Sequence, residues 1–227
     1  MFENIKKVLV FGAHGDDEIK GCGGTIAYLA EKGTQVTVIT FTNRETSYAA
    51  LKDKNQAAQI AKKEMANADN ILGISREILE LPTHGIENNR DNFQLCTKLI
   101  RKYRPDIIFT HIPNDHHRDH RAVSILISEA RGKASSNISP DWGEPWHTQW
   151  VLQFEIYNLI EKPHLIHALN KRHIAKKIEA MRSQISQMNV SPFIIQHMEG
   201  LSKTRGASIG AKWGEAFRID DFHPAKF

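Results

Sequence analysis

The 227-residue sequence is poor in cysteine, with only Cys22 and Cys96. Two cysteines far apart and outside any CxxC pair make no disulfide framework, so a reduced setting fits. Long apolar runs are also missing. No stretch approaches the roughly 18 residues that cross a bilayer, and MFENIKKVLVFGA lacks the apolar core of a signal peptide. A cytoplasmic protein without a transmembrane segment is expected. Blocks of like charge are absent: 30 Lys and Arg against 26 Asp and Glu leave a net +4 spread along the chain. Without a basic block or an aromatic-basic alternation, nucleic acid is not an expected partner. The mild positive excess suits an anionic small molecule such as a nucleotide sugar, or a plain solvated surface. Linkers, repeats and low-complexity tracts are lacking too, so residues 1–227 are expected to form one domain. Nothing decides oligomeric state, and a homo-oligomer is compatible with the sequence.

What is present is an alternation of strand and helix patterns. KKVLVFGAH, QVTVITFTN, REILELP, DIIFTHI and WVLQFEIYN are short apolar, β-branched runs. Between them lie helical patterns: GGTIAYLAEKG stopped by Gly33, residues 53–72 ending near Gly73, RDNFQLCTKLIRKYRP closing at Pro105, DHRAVSILISEARG, and HIAKKIEAMRSQIS. ASSNISPDWGEPW reads as a polar loop. The alternation predicts an α/β protein, a Rossmann-like three-layer fold with a mainly parallel sheet. In such sheets ligands bind beyond the carboxyl ends of the strands.

Two unusual clusters fall at those ends. HGDDE follows the first strand and HIPNDHHRDH the fourth. Acidic and imidazole groups packed so closely repel one another unless something positive sits among them. His117 and His120, three apart at a helix start, share a face. Asn114 or Asp115 can cap that helix, and Asp119 can hold one imidazole in its tautomer. An HxxH pair alone is a modest signal, since surface histidines are common. One histidine of that pair with His14 and an aspartate makes two histidines and one carboxylate, a recurrent catalytic zinc set that leaves a position for water. Of Asp16 and Asp17, one can ligate while the other acts as base. The competing reading of DDE is a solvated acidic turn that caps the next helix. Glu18 either starts that helix or supports the site. Gly21, Gly23 and Gly24 do not make GxGxxG, so a dinucleotide site fits poorly.

These residues resemble a known family. HGDDE followed by GCGGTIA resembles the HPDDE and GCGGT signature of the PIG-L/LmbE-like deacetylases, and DHHRDHRAV resembles their DxHxDHRAV motif. KKIEAMRSQ and RGASIGAKWGEAF resemble two later, weaker motifs in the right order. The resemblance implies a zinc-dependent hydrolase that removes the acyl group from an N-acetylated amino sugar. By that resemblance His14, Asp17 and His120 are the metal ligands and Asp16 is the general base. His117 polarises or protonates the tetrahedral intermediate, and Asp119 orients a histidine. Zn2+ is the expected cofactor, with another divalent ion as the alternative. Arg44, His84, Arg90 and Asn114 are candidates to line a sugar pocket.

The sequence departs from the family pattern at three points. Gly15 replaces a proline, which is expected to loosen the loop without removing a ligand. Met181-Arg182 replaces the pattern before SerGln, so a late histidine is missing. Ala61 stands where many members place an arginine three residues before Glu64. Rival readings are a metal- and sugar-binding module without turnover, a hydrolase of another N-acyl compound, and a phosphoesterase. The last normally needs more carboxylates and histidines bridging two ions.

Overall fold

The computed structural model describes residues 2–221. Strands β1 (Lys7–Gly12), β2 (Gln35–Thr42), β3 (Ser75–Leu81), β4 (Ile107–His111), β5 (Trp150–Phe154), β6 (Leu165–Leu169) and β7 (Trp213–Ile219) form one sheet ordered β3-β2-β1-β4-β5-β7-β6. The pairings among β1 to β5 are parallel, while β7 runs antiparallel to both β5 and β6. β1 and β4 are buried along nearly their whole length, which is why they read as unbroken apolar runs rather than alternating ones. Helices α1 (Asp17–Glu31), α2 (Ala57–Leu72), α5 (Lys171–Arg182) and α7 (Ile194–Ala207) contribute to one core cluster. α3 (Arg90–Tyr103) and α4 (Arg118–Ala134) contribute to the other. The expected three-layer α/β fold with a mainly parallel sheet is present.

Three local features differ from the sequence reading. α1 starts at Asp17 rather than in the glycine cluster, with a non-helical break at Cys22 (φ −142°). α2 is preceded by a 3-10 turn over Leu51–Gln56 and ends, as expected, at Gly73 in the left-handed region (φ 72°). Beyond β5, the strands β6 and β7 and the helices α6 (Ile185–Val190) and α7 were not anticipated.

The glycine cluster serves packing. A Cβ on Gly21 would meet the Phe154 ring at 2.2 Å, and one on Gly24 would meet Leu169 at 2.5 Å. α1 therefore lies flush on β5 and β6, and its first turn arrives at the mouth of β1.

The order reverses between β1 and β4, since β1 continues to β2 on one side and β4 to β5 on the other. Such a switch point opens a crevice at the carboxyl ends of the two central strands. His14, Asp16 and Asp17 follow β1, His111 ends β4, and residues 115–120 follow β4. Both clusters meet there.

Candidate active site

Neither aspartate caps α1. Asp16 occupies the cap position but makes no side-chain cap bond. Asp17 Oδ2 instead accepts from the His14 N–H at 2.7 Å, folding the loop so that the His14 ring turns inward. The helix-capping reading of DDE therefore does not describe these groups. Glu18 is buried against Arg76 Nη2 at 2.6 Å, and Arg76 is also bound by Asp69. It belongs to the packing of α1 on the sheet.

Three side chains converge. His14 Nδ1 and His120 Nε2 are 3.3 Å apart. Asp17 Oδ2 lies 3.4 Å from His14 Nδ1, and Asp17 Oδ1 lies 3.4 Å from His120 Nε2. Tetrahedral ligands about 2.0–2.2 Å from a zinc ion sit roughly 3.3–3.6 Å from one another, and each of the three separations matches that spacing, the two Asp17 contacts being made by its two different oxygens. The remote nitrogens of both rings face carboxylates. His14 Nε2 is 3.0 Å from Asp119 Oδ2, and His120 Nδ1 is 3.2 Å from Asp115 Oδ1. This second carboxylate shell places each ring proton on the outer nitrogen and turns the two lone pairs toward one point. Lone pairs facing each other at 3.3 Å need either a shared proton or a metal cation between them, and the residues present fit a divalent metal.

Charge balance agrees. Burial lowers the pKa of His14, but Asp17 and Asp119 outweigh it and raise the value to about 9. His120 is raised for the same kind of reason, by Asp17 and Asp115 against burial. Burial pushes Asp17 up, yet His120, His14 and His111 hold it well below the usual carboxylate range. Without a metal, the cluster retains a proton on His14 at neutral pH. A cation must displace that proton, so metal affinity should fall by about tenfold per pH unit below pH 9 for one proton released. Calorimetric titration of the metal in two buffers of different ionisation enthalpy checks this; affinity independent of pH between 6 and 8 contradicts it.

Three further trios of side chains could hold an ion, Asp17–His111–His120, His14–His117–His120 and His84–His117–Asp119. His111 was not singled out from the sequence, although it ends the otherwise apolar strand DIIFTH. It is buried, and its Nε2 accepts from the Ala13 N–H at 3.1 Å, so that lone pair is already engaged. His111 therefore fixes the backbone before His14 rather than competing for the cation. His117 Nδ1 likewise accepts from the Asp119 N–H at 3.2 Å, which leaves Nε2 as the N–H donor of a neutral ring. Burial, with repulsion from His14 and His120, lowers the His117 pKa to about 4 and keeps it neutral.

A cavity of about 280 Å³ opens over this cluster, lined by His14, Asp16, Lys20, Arg44, His84, His117 and Tyr157 among others. Asp16 is 1 % exposed and meets Lys20 Nζ at 2.7 Å and Arg44 Nη1 at 3.9 Å. Burial pushes its carboxyl up, but Lys20 and Arg44 prevail and hold it below the usual range. Asp16 is thus an ionised carboxylate beside the converging donors and outside their triangle. Lys20, one turn into α1, also escaped the sequence reading.

The sugar-pocket candidates divide. Arg44 is buried, sits in the left-handed region (φ 58°), and donates to Glu64 Oε2 at 3.2 Å and Gln184 Oε1 at 2.8 Å. It also approaches the Ala61 carbonyl at 3.5 Å, so its guanidinium occupies the neighbourhood of position 61. His84 gives its backbone N–H to Asp119 Oδ2 at 2.8 Å and stacks on His117. Arg90 and Asn114 are exposed, and neither lines the cavity. Neither Asn114 nor Asp115 caps α4: His117 is the cap, its ring accepting from the Asp119 N–H, while Asp115 accepts from the His117 N–H at 2.8 Å and so fixes the turn before it. Gly15 is not a loosened point: a Cβ there would fall 2.0 Å from Met65 Sδ, so the Met65 thioether fills the space.

Comparison with known proteins adds an independent line. The profile of the family described as "PIG-L: GlcNAc-PI de-N-acetylase" matches residues 9–131. A 1D-myo-inositol 2-acetamido-2-deoxy-alpha-D-glucopyranoside deacetylase of Rhodococcus erythropolis is 29% identical over 179 residues, 65% of this chain and 60% of that protein. A 4-oxalmesaconate hydratase of Pseudomonas putida is 27% identical over 133 residues, 56% of this chain and 52% of that protein. The chain therefore spans between half and two thirds of the length of these curated relatives. An N,N'-diacetylchitobiose deacetylase structure from Pyrococcus horikoshii superimposes with a TM-score of 0.88 at 26% identity, covering 100% of this chain and 89% of the other.

Proposed function

The chain belongs to the PIG-L family, and from that premise we propose that it is a metal-dependent amide hydrolase acting on an N-acetylated amino sugar. The reading is carried by one observation: two imidazoles backed by carboxylates turn their free nitrogens toward Asp17, with ionised Asp16 in the same cavity. His14, Asp17 and His120 hold the cation, for which the two-nitrogen, one-oxygen donor set suits zinc. When bound, such an ion supplies a Lewis acid that acidifies water and polarises a carbonyl.

The chain's own residues supply the rest. Asp16 takes a proton from the attacking water, and Lys20 and Arg44 keep it ionised until then. Water oxygen bonds to the amide carbon, and His117 Nε2–H donates to the oxygen on which negative charge develops. A neutral donor there strengthens its hydrogen bond as charge builds, which is the pattern that lowers a barrier. The carbon–nitrogen bond then breaks, the amine leaves with the proton held by Asp16, and acetate is the second product. Asp119 and Asp115 hold His14 and His120 in position. Arg44 and His84 are the sugar contacts among the cavity walls.

The hydratase relative favours a second reading, addition of water to a carbon–carbon double bond at the same centre, since one fold serves more than one reaction. A screen of N-acetylated sugars, glycosides and nucleotide sugars separates them. Acetate and free amine released in equal amounts, and abolished by chelator, are expected. No amine from any of these, with hydration of an unsaturated tricarboxylate such as 4-oxalmesaconate instead, replaces the first reading with the second.

A further inference from the structure

Beside the cavity over the imidazole cluster, on the far side of Tyr157, lies another. This second cavity, of about 450 Å³, shares Lys20, Tyr157 and Val190 with the first. Its walls come from the segment after β5 (Ile156, Tyr157) and from the corner between α6 and α7 (Val190, Phe193, Ile194, Met198). The charged groups that reach it are already engaged. Glu155 accepts from Arg205 at 2.8 and 2.6 Å and from the Ile160 N–H at 2.7 Å. Lys177 donates to Glu215 Oε1 at 2.6 Å, and Lys20 is held by Asp16. His116 faces Asn158 Oδ1. The walls therefore offer a ligand mostly apolar surface, and Phe193 is 73 % exposed. Contiguous exposed apolar residues beside a polar site mark a binding groove more than a plain surface.

Size separates the two compartments. At about 280 Å³ the cavity over the cluster is the smaller of the two, at the low end of ligand-binding cavities. It suits the ring that carries the acylamino group, and a large substituent must leave it. Lys20, Tyr157 and Val190 line both cavities, which places the second within reach of such a substituent.

We propose that the substrate is a glycoside with an apolar aglycone, aryl or alkyl, and that the second cavity binds that aglycone. The proposal rests on the sugar-deacetylase reading above. A second sugar ring suits these walls poorly. Its hydroxyls would lose water and find, besides the groups already engaged, only the Tyr157 hydroxyl, Ser191 and His197 along an otherwise apolar lining.

The test compares phenyl and hexyl 2-acetamido-2-deoxyglucosides with free N-acetylglucosamine and N,N'-diacetylchitobiose. Both apolar glycosides should exceed the free sugar in kcat/KM by about tenfold to a hundredfold, the effect of burying a few apolar groups. Phe193→Ser should shrink that ratio toward one, and Phe193→Leu should retain most of it. A ratio unmoved by Phe193→Ser, or a preference for diacetylchitobiose, overturns the assignment. Calorimetric binding of hexyl 2-amino-2-deoxyglucoside, the expected product, keeps the two readings apart. If it binds, and weakens in Phe193→Ser, while no N-acetyl sugar is cleaved, the cavity stands and the deacetylase reading falls. If free N-acetylglucosamine is cleaved and the hexyl group adds nothing, the cavity assignment alone falls.

Discussion

Asp16→Asn should retain one equivalent of metal and lose turnover by about 10²–10⁴-fold, the usual worth of a positioned general base. The asparagine keeps the size of the side chain and an oxygen for Lys20, so the first turn of α1 keeps its packing. Asp16→Ala should give the same loss of turnover with an added cost in stability, because it leaves the buried Lys20 ammonium without its partner at 2.7 Å. Metal content separates the alternatives. Turnover near wild type in Asp16→Asn removes the base assignment. Loss of metal together with turnover makes Asp16 a ligand and frees Asp17 for another role.

His120→Ala should release the metal. Its Nε2 is one corner of a triangle with 3.3 and 3.4 Å edges, and the two remaining donors cannot close a tetrahedral site. The loss of affinity should exceed the 10–100-fold that an outer-shell partner is typically worth. Asp115→Asn supplies that smaller step, because the Asp115 carboxylate lies 3.2 Å from His120 Nδ1 without touching the cation. The expected order of metal affinity is wild type, Asp115→Asn, then His120→Ala. Full metal retained by His120→Ala contradicts the ligand set.

Much of the fold and of the site was legible in the sequence, for a physical reason. β1 and β4 are buried central strands, so their apolar runs stand out, and polar side chains at their ends have no packing role to explain them. The pairing of His14 with residues around 120 follows from topology alone, because β1 and β4 are neighbours at the switch point. The choice between Asp16 and Asp17 was not legible from spacing. It depends on the loop closed by the His14 N–H to Asp17 bond, and only the family resemblance assigned the two roles. β7 was missed because Glu215 interrupts its apolar pattern. That carboxylate is satisfied by Lys177 and by the N–H groups of Gly24 and Thr25, partners at least 38 residues away in the chain. His111 hid in the opposite way, as one polar residue at the end of a strand, its partner Ala13 lying on the neighbouring segment. The apolar corner after α6 carries no motif and becomes visible only when α7 folds beside Tyr157.

The central claim is tested most directly by a crystal of the zinc-loaded protein, measured on both sides of the zinc absorption edge. The account predicts one anomalous peak per chain, about 2.0–2.2 Å from His14 Nδ1, an Asp17 carboxylate oxygen and His120 Nε2. A peak ligated instead by His111, or no peak between His14 and His120, contradicts it.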